Sequence, residues 1–152
     1  MKRKCCNTRF DTRHLKNNIN KIVIFEDSQE AIDRFKSKFE FANVEIISFR
    51  NPLLNDEIIE KISKFSPHLI VVDLILGGFK DDGYNIISEL QGNKIFRLIP
   101  IIVCSKLIND SDIGKKEKRE CMELSGVKAA FSKFPDYPDA EEFLKIIKMD
   151  SK

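Results

Sequence analysis

Five side chains in this sequence combine the types phosphoryl chemistry needs with places within or at the ends of apolar runs: Glu26, Asp27, Asp73, Ser105 and Lys133. Asp73 is the first oddity, because the other seven residues from Leu69 to Leu76 are all aliphatic. A carboxylate in such a run is costly to bury without a partner. Glu26 and Asp27 stand together after KIVIF, Ser105 closes LIPIIVCS, and Lys133 closes KAAFSK. Carboxylates drawn within a few ångström repel, and one or more is pushed to a higher pKa unless a counter-ion intervenes. Mg2+ relieves that conflict, since it accepts two or three protein oxygens while keeping waters. An aspartate beside Mg2+ can attack phosphorus and form an aspartyl phosphate. A lysine and a hydroxyl can then compensate the phosphoryl oxygens.

Those roles require that the five residues meet, which depends on the elements that end at them. KIVIF (21–25), VEIISF (44–49), HLIVVDL (68–74), LIPIIVCS (98–105) and the weaker KAAFSK (128–133) read as strands. Between them run amphipathic helical segments. Ala31, Ile32, Phe35 and Phe39 share one face of the first, and Ile58, Ile59, Ile62 and Phe65 one face of the second, opened by Asn55 or Asp56 as cap. Tyr84, Ile87 and Leu90 line the third. A charged fourth runs from about Asp112 to Leu124 and stops at Gly126, and the last has Pro138 in its first turn. Strands apolar on both faces, alternating with such helices, predict one α/β unit: a doubly wound, five-stranded parallel sheet with five helices.

In that architecture ligands bind at the carboxyl ends of the strands. Strand one ends in Glu26-Asp27, strand three in Asp73, strand four in Ser105 and strand five in Lys133; strand two ends in nothing comparable. Singly, each has an ordinary explanation. Asp27 and Glu30 fit a capping box, Asp73 fits a loop cap, Ser105 a turn residue and Lys133 a solvated lysine. Their joint placement at four strand ends favours a site.

The whole chain sets bounds on function. Its 152 residues suit one domain, with 42% hydrophobic and 33% charged residues, and a net charge of +2 gives no general attraction to polyanions. Residues 1–19 read as a basic arm, taken as a solvated tail in preference to a nucleic-acid contact, and the folded domain as residues 20–149. No stretch is long and apolar enough to span a membrane, and the start MKRKCCNTRF lacks a signal-peptide core, so a soluble cytoplasmic domain is expected. The adjacent Cys5 and Cys6 fit neither a zinc knuckle nor an easy mutual disulfide, Cys104 looks like a small core residue, and all four cysteines are expected as reduced thiols. KKEKR (115–119) reads as a solvated helical face in preference to a docking patch, and His68 as a strand-start residue. Neither G-x-G-x-x-G nor a P-loop occurs. A dehalogenase-type phosphohydrolase would need a second aspartate two residues after the first, and Ile75 stands there.

At these residues the sequence resembles the receiver domain of bacterial two-component response regulators, from about Lys21 to Lys148. FEDS looks like the family's acidic pair, PHLIVVDLILGG with Asp82-Gly83 like its phosphoacceptor segment, IIVCS like its Ser/Thr position and GVKAAFSKFP like its lysine segment. The resemblance implies a flavodoxin-like strand order 2-1-3-4-5 and a stand-alone phosphoacceptor rather than an enzyme. Asp73 would take a phosphoryl group from a phosphohistidine of a sensor kinase or phosphotransfer protein. Glu26, Asp27, Asp73 and the Ile75 backbone carbonyl would hold Mg2+, with Ser105 and Lys133 contacting the phosphoryl group. A downstream protein partner would bind the face of helix four, strand five and helix five; neither nucleic acid nor membrane is implied, and the chain would be a monomer or weak dimer. The alternative is a degenerate receiver acting as a phosphorylation-independent scaffold. The sequence departs from the common pattern in three places. The stretch from Asp73 to Gly83 is two residues longer, with Gly77-Gly78 promising a pliable loop. Ala130 stands where the switch aromatic is usual, and Phe134 separates Lys133 from Pro135.

Overall fold

The computed structural model describes residues 19–79 and 81–151. Its elements are β1 (Asn20–Phe25), α1 (Gln29–Ser37), β2 (Val44–Phe49), α2 (Asp56–Phe65), β3 (Leu69–Val72), α3 (Asp81–Gly92), β4 (Ile101–Cys104), α4 (Asp112–Met122), β5 (Val127–Phe131) and α5 (Ala140–Asp150). The five strands form one parallel sheet in the order β2-β1-β3-β4-β5, as expected for a flavodoxin-like doubly wound fold.

The central strands β3 and β4 are apolar throughout because both sheet faces are covered, and alternate residues feed two separate cores. Val23, Phe25, Ile70, Val72, Ile101 and Val103 pack with Ile58 and Ile62 of α2, Ile86, Ile87 and Leu90 of α3, and Cys121 of α4. Ile22, Ile24, Leu69, Val71, Ile102 and Cys104 pack on the other face with Ala31 and Phe35 of α1 and Phe143 and Ile147 of α5. The second core is aromatic at its centre, with Phe35 against Phe39, Tyr137 and Phe143. The register sets the strand ends level: Phe25 pairs with Val72, Val72 with Val103, and Cys104 with Phe131. The residues that follow therefore emerge along one edge.

Several local expectations change. α1 is capped by Ser28, whose Oγ accepts the Ala31 N–H, so Asp27 is outside the proposed capping box. Asn55, not Asp56, caps α2. Pro138 precedes Asp139, the cap of α5, and so lies before the helix rather than in its first turn. Gly126 adopts the left-handed conformation expected at the end of the α4 segment, with φ 81°. Cys104 and Cys121 are buried, while Cys5, Cys6 and nearly all of the basic arm fall outside the described residues. Among the described residues, no helix is long and apolar enough to cross a membrane.

Candidate functional site

Glu26 and Asp27 follow β1, and Asp73 follows β3 directly, where its N–H continues the ladder by donating to the Phe25 carbonyl. Asp73 thus interrupts the core run without ending it, since Leu74 and Leu76 beyond it are buried in the core and its own side chain is buried as well. The compensating group is Lys133, two residues beyond β5. Its Nζ donates to Glu26 Oε2 and to Asp73 Oδ2, both at 2.6 Å. Burial acts to lower the Lys133 pKa, but Asp73 and Glu26 outweigh it and raise the value, so the ammonium is retained. Burial, and then the charge of Asp73, raise the Glu26 carboxyl above its ordinary value against the pull of Lys133 and the Ser28 N–H.

Asp27 is more exposed, and its Oδ2 accepts the Gly77 N–H at 3.1 Å. This contact explains part of the glycine pair. Gly77 and Gly78 have φ of 61° and 88°, and they fold the β3–α3 loop back so that its backbone meets the acidic pair. Ile75 lies in the same loop, and its N–H donates to Asp73 Oδ1 at 3.3 Å. One oxygen from each of Glu26, Asp27 and Asp73 falls within 4.8 Å of the others. Among the described residues Lys133 is the ammonium paired with Glu26 and Asp73, and three carboxylates gathered around one ammonium suit a hard divalent cation.

Ser105 is fully buried directly after β4, one strand over from Asp73. Its Oγ accepts the Leu107 N–H at 3.3 Å, so the local turn orients the hydroxyl. Ala130 is buried on the α2–α3–α4 side, whereas Phe131 belongs to the opposite core and packs on Phe143. Neighbours in a strand face opposite ways, so Phe131 does not replace an aromatic at position 130. The cis peptide bond of this segment joins Phe134 to Pro135.

One residue in this neighbourhood escaped the sequence reading. Tyr137, in the β5–α5 loop, is buried and donates its hydroxyl to Glu26 Oε2 at 3.1 Å. Lying in an aperiodic loop, FPDYP, it carried no pattern to mark it.

No family model matches the sequence, and no curated protein matches it. Solved structures do. The BeF3-activated N-terminal receiver domain of Klebsiella pneumoniae RstA is 21% identical with a TM-score of 0.63, over 88% of this chain and all of that one. The receiver domain of sensor histidine kinase PA1611 from Pseudomonas aeruginosa PAO1, with magnesium coordinated in its active site cleft, is 16% identical with a TM-score of 0.63, over 88% of this chain and 98% of that one. The chemotaxis response regulator CheY4 of Vibrio cholerae gives 16% and 0.63, over 87% and 98%. The fold is that of a response regulator receiver domain. Within this receiver fold, Glu26, Asp27, Asp73 and Lys133 form a contiguous cluster, and Ser105 stands at the adjoining strand end.

Proposed function

We propose that this chain is a phosphoacceptor of a two-component relay, with Asp73 as the acceptor. The observation that carries the reading is Lys133 Nζ, held at 2.6 Å from both Asp73 and Glu26 inside a buried, acidic cluster. A structural ion pair needs one carboxylate; here one ammonium serves two, beside a third acid. Such an excess of charge is costly as architecture and suits a site that receives a cation.

In this reading an Asp73 oxygen bonds to the phosphorus of a phosphohistidine on a kinase or phosphotransfer protein. The N–P bond breaks, and its electron pair stays on the imidazole nitrogen, which takes up a proton. Lys133 leaves the carboxylates to pair with a phosphoryl oxygen, and the Ser105 hydroxyl donates to another. Glu26, Asp27, Asp73 and the Ile75 carbonyl would hold Mg2+, which neutralises charge on the transferring group when bound. The chain itself supplies positioning and electrostatics, and no turnover of a separate substrate is needed. The output surface in this reading is the α4–β5–α5 face, where Lys115, Lys116, Lys118 and Arg119 are exposed. Ala130 favours a second reading, a phosphorylation-independent scaffold, because no aromatic at that position couples to Ser105.

Incubation with Mg2+ and acetyl phosphate, followed by intact-mass measurement, separates the two. The expected result is a gain of one phosphoryl group, absent in Asp73→Asn and in EDTA. A chain that gains nothing and also fails to bind Mg2+ is the scaffold.

A further inference from the structure

We propose that Tyr137 is a positioning residue that holds Glu26 in place for the divalent cation, an inference that rests on the metal site of the proposed function. A buried phenol needs a hydrogen-bond partner, and this one takes the site carboxylate, Oε2 of Glu26. The hydroxyl is the donor in this bond, at 3.1 Å.

The ring is fixed from several sides. It meets Phe35 edge-on with centroids 5.2 Å apart, and the Arg34 guanidinium lies 5.7 Å from its centroid. The preceding residues are tied to α1 as well: Lys38 Nζ is 2.7 Å from Asp136 Oδ2, and Arg34 Nη1 donates to the Pro135 carbonyl. α1 thus anchors the loop that presents the hydroxyl.

The consequence concerns the moment when Lys133 leaves. Glu26 Oε2 is shared by Lys133 and Tyr137, while Oε1 accepts the Ser28 N–H at 3.1 Å. When the ammonium turns to a phosphoryl group, the Tyr137 hydroxyl and the Ser28 N–H still hold both carboxylate oxygens. Glu26 then keeps the orientation in which it faces the cation. Groups that orient a ligand in this way commonly contribute as much to metal affinity as a weak ligand.

The test is Mg2+ affinity by calorimetry for the wild-type chain and Tyr137→Phe, which keeps the ring and removes the hydroxyl. The expected result is binding weaker by on the order of tenfold, with the metal-free melting temperature little changed. In a Glu26→Gln background the same substitution should add nothing. An independent signal is available because the chain has two tyrosines and no tryptophan. In Tyr84→Phe, Tyr137 is the remaining tyrosine emitter, and its fluorescence should shift with Mg2+ at the calorimetric midpoint. Equal Mg2+ affinity in Tyr137→Phe overturns the inference, as does a flat Tyr137 signal should that variant fail to fold. A wild-type chain that binds Mg2+ but takes no phosphoryl group overturns the relay alone; one that binds no Mg2+ overturns both.

Discussion

Replacing Lys133 with methionine is expected to lower the melting temperature in EDTA by about 6–12 °C, corresponding to about 3 kcal/mol in a chain of this size. Methionine keeps the length and apolar stem of the side chain but removes its charge and donors. Asp73 and Glu26 are then left buried side by side, each without the ammonium it contacts at 2.6 Å. Removing one member of a buried pair is far costlier than its net contribution suggests, because the partner stays behind desolvated. Added Mg2+ should recover much of the loss, since it supplies the missing positive charge.

The pH dependence of that variant follows from Glu26. Its carboxyl is already raised above its ordinary 4.5 by burial and by Asp73, and Lys133 is what pulls it back. Without Lys133 the rise is larger, and the folded state binds more protons than the unfolded one. Stability of Lys133→Met in EDTA should therefore fall as pH rises from about 4.5 through the raised folded value. Melting curves across that range check the sign. A variant as stable as wild type at neutral pH would mean that Lys133 is not the counter-ion of this cluster.

The sheet and the grouping of most candidate-site residues are legible in the sequence because they rest on runs and ends. Four-residue cores such as LIVV and IIVC are apolar on both faces, and that alone requires covering layers above and below. Once the sheet is parallel, Asp73, Ser105 and Lys133 must emerge on one edge, so their association follows from topology. What sequence could not show depends on distances between loops. Asp27 and Ser28 are both good caps, and only the path of the chain decides that Ser28 caps while Asp27 receives Gly77. Tyr137 is brought to Glu26 by the β5–α5 loop folding onto α1, a long-range contact with no periodic signature. Ala130 stands where an aromatic is usual in the family, and only the strand's alternation shows that the adjacent Phe131 cannot serve instead, since a shift of one residue turns a side chain to the opposite core.

Gly83→Ala should be among the most damaging single-methyl changes in the protein. α3 runs so close to the end of β3 that a Cβ at position 83 would lie 2.4 Å from the Asp73 carbonyl oxygen and from Leu74 Cα, and 2.6 Å from the Leu74 carbonyl oxygen. All three are backbone atoms, so no rotamer change relieves the overlap, and the Gly83 N–H bond to the Leu74 carbonyl is strained at the same time. Overpacking of this kind costs about 1–3 kcal/mol, and a backbone-only clash belongs at or above the upper end. The displaced segment carries Asp73, so phosphoryl uptake from acetyl phosphate should fall more steeply than the fraction folded. Gly92→Ala, in the same helix, is the internal control: its Cβ would meet nothing within 4 Å, and alanine should leave stability unchanged or raise it by up to about 1 kcal/mol. Two variants that melt together and phosphorylate alike would show that α3 can move off the strand freely, and that Asp73 does not depend on Gly83 for its position.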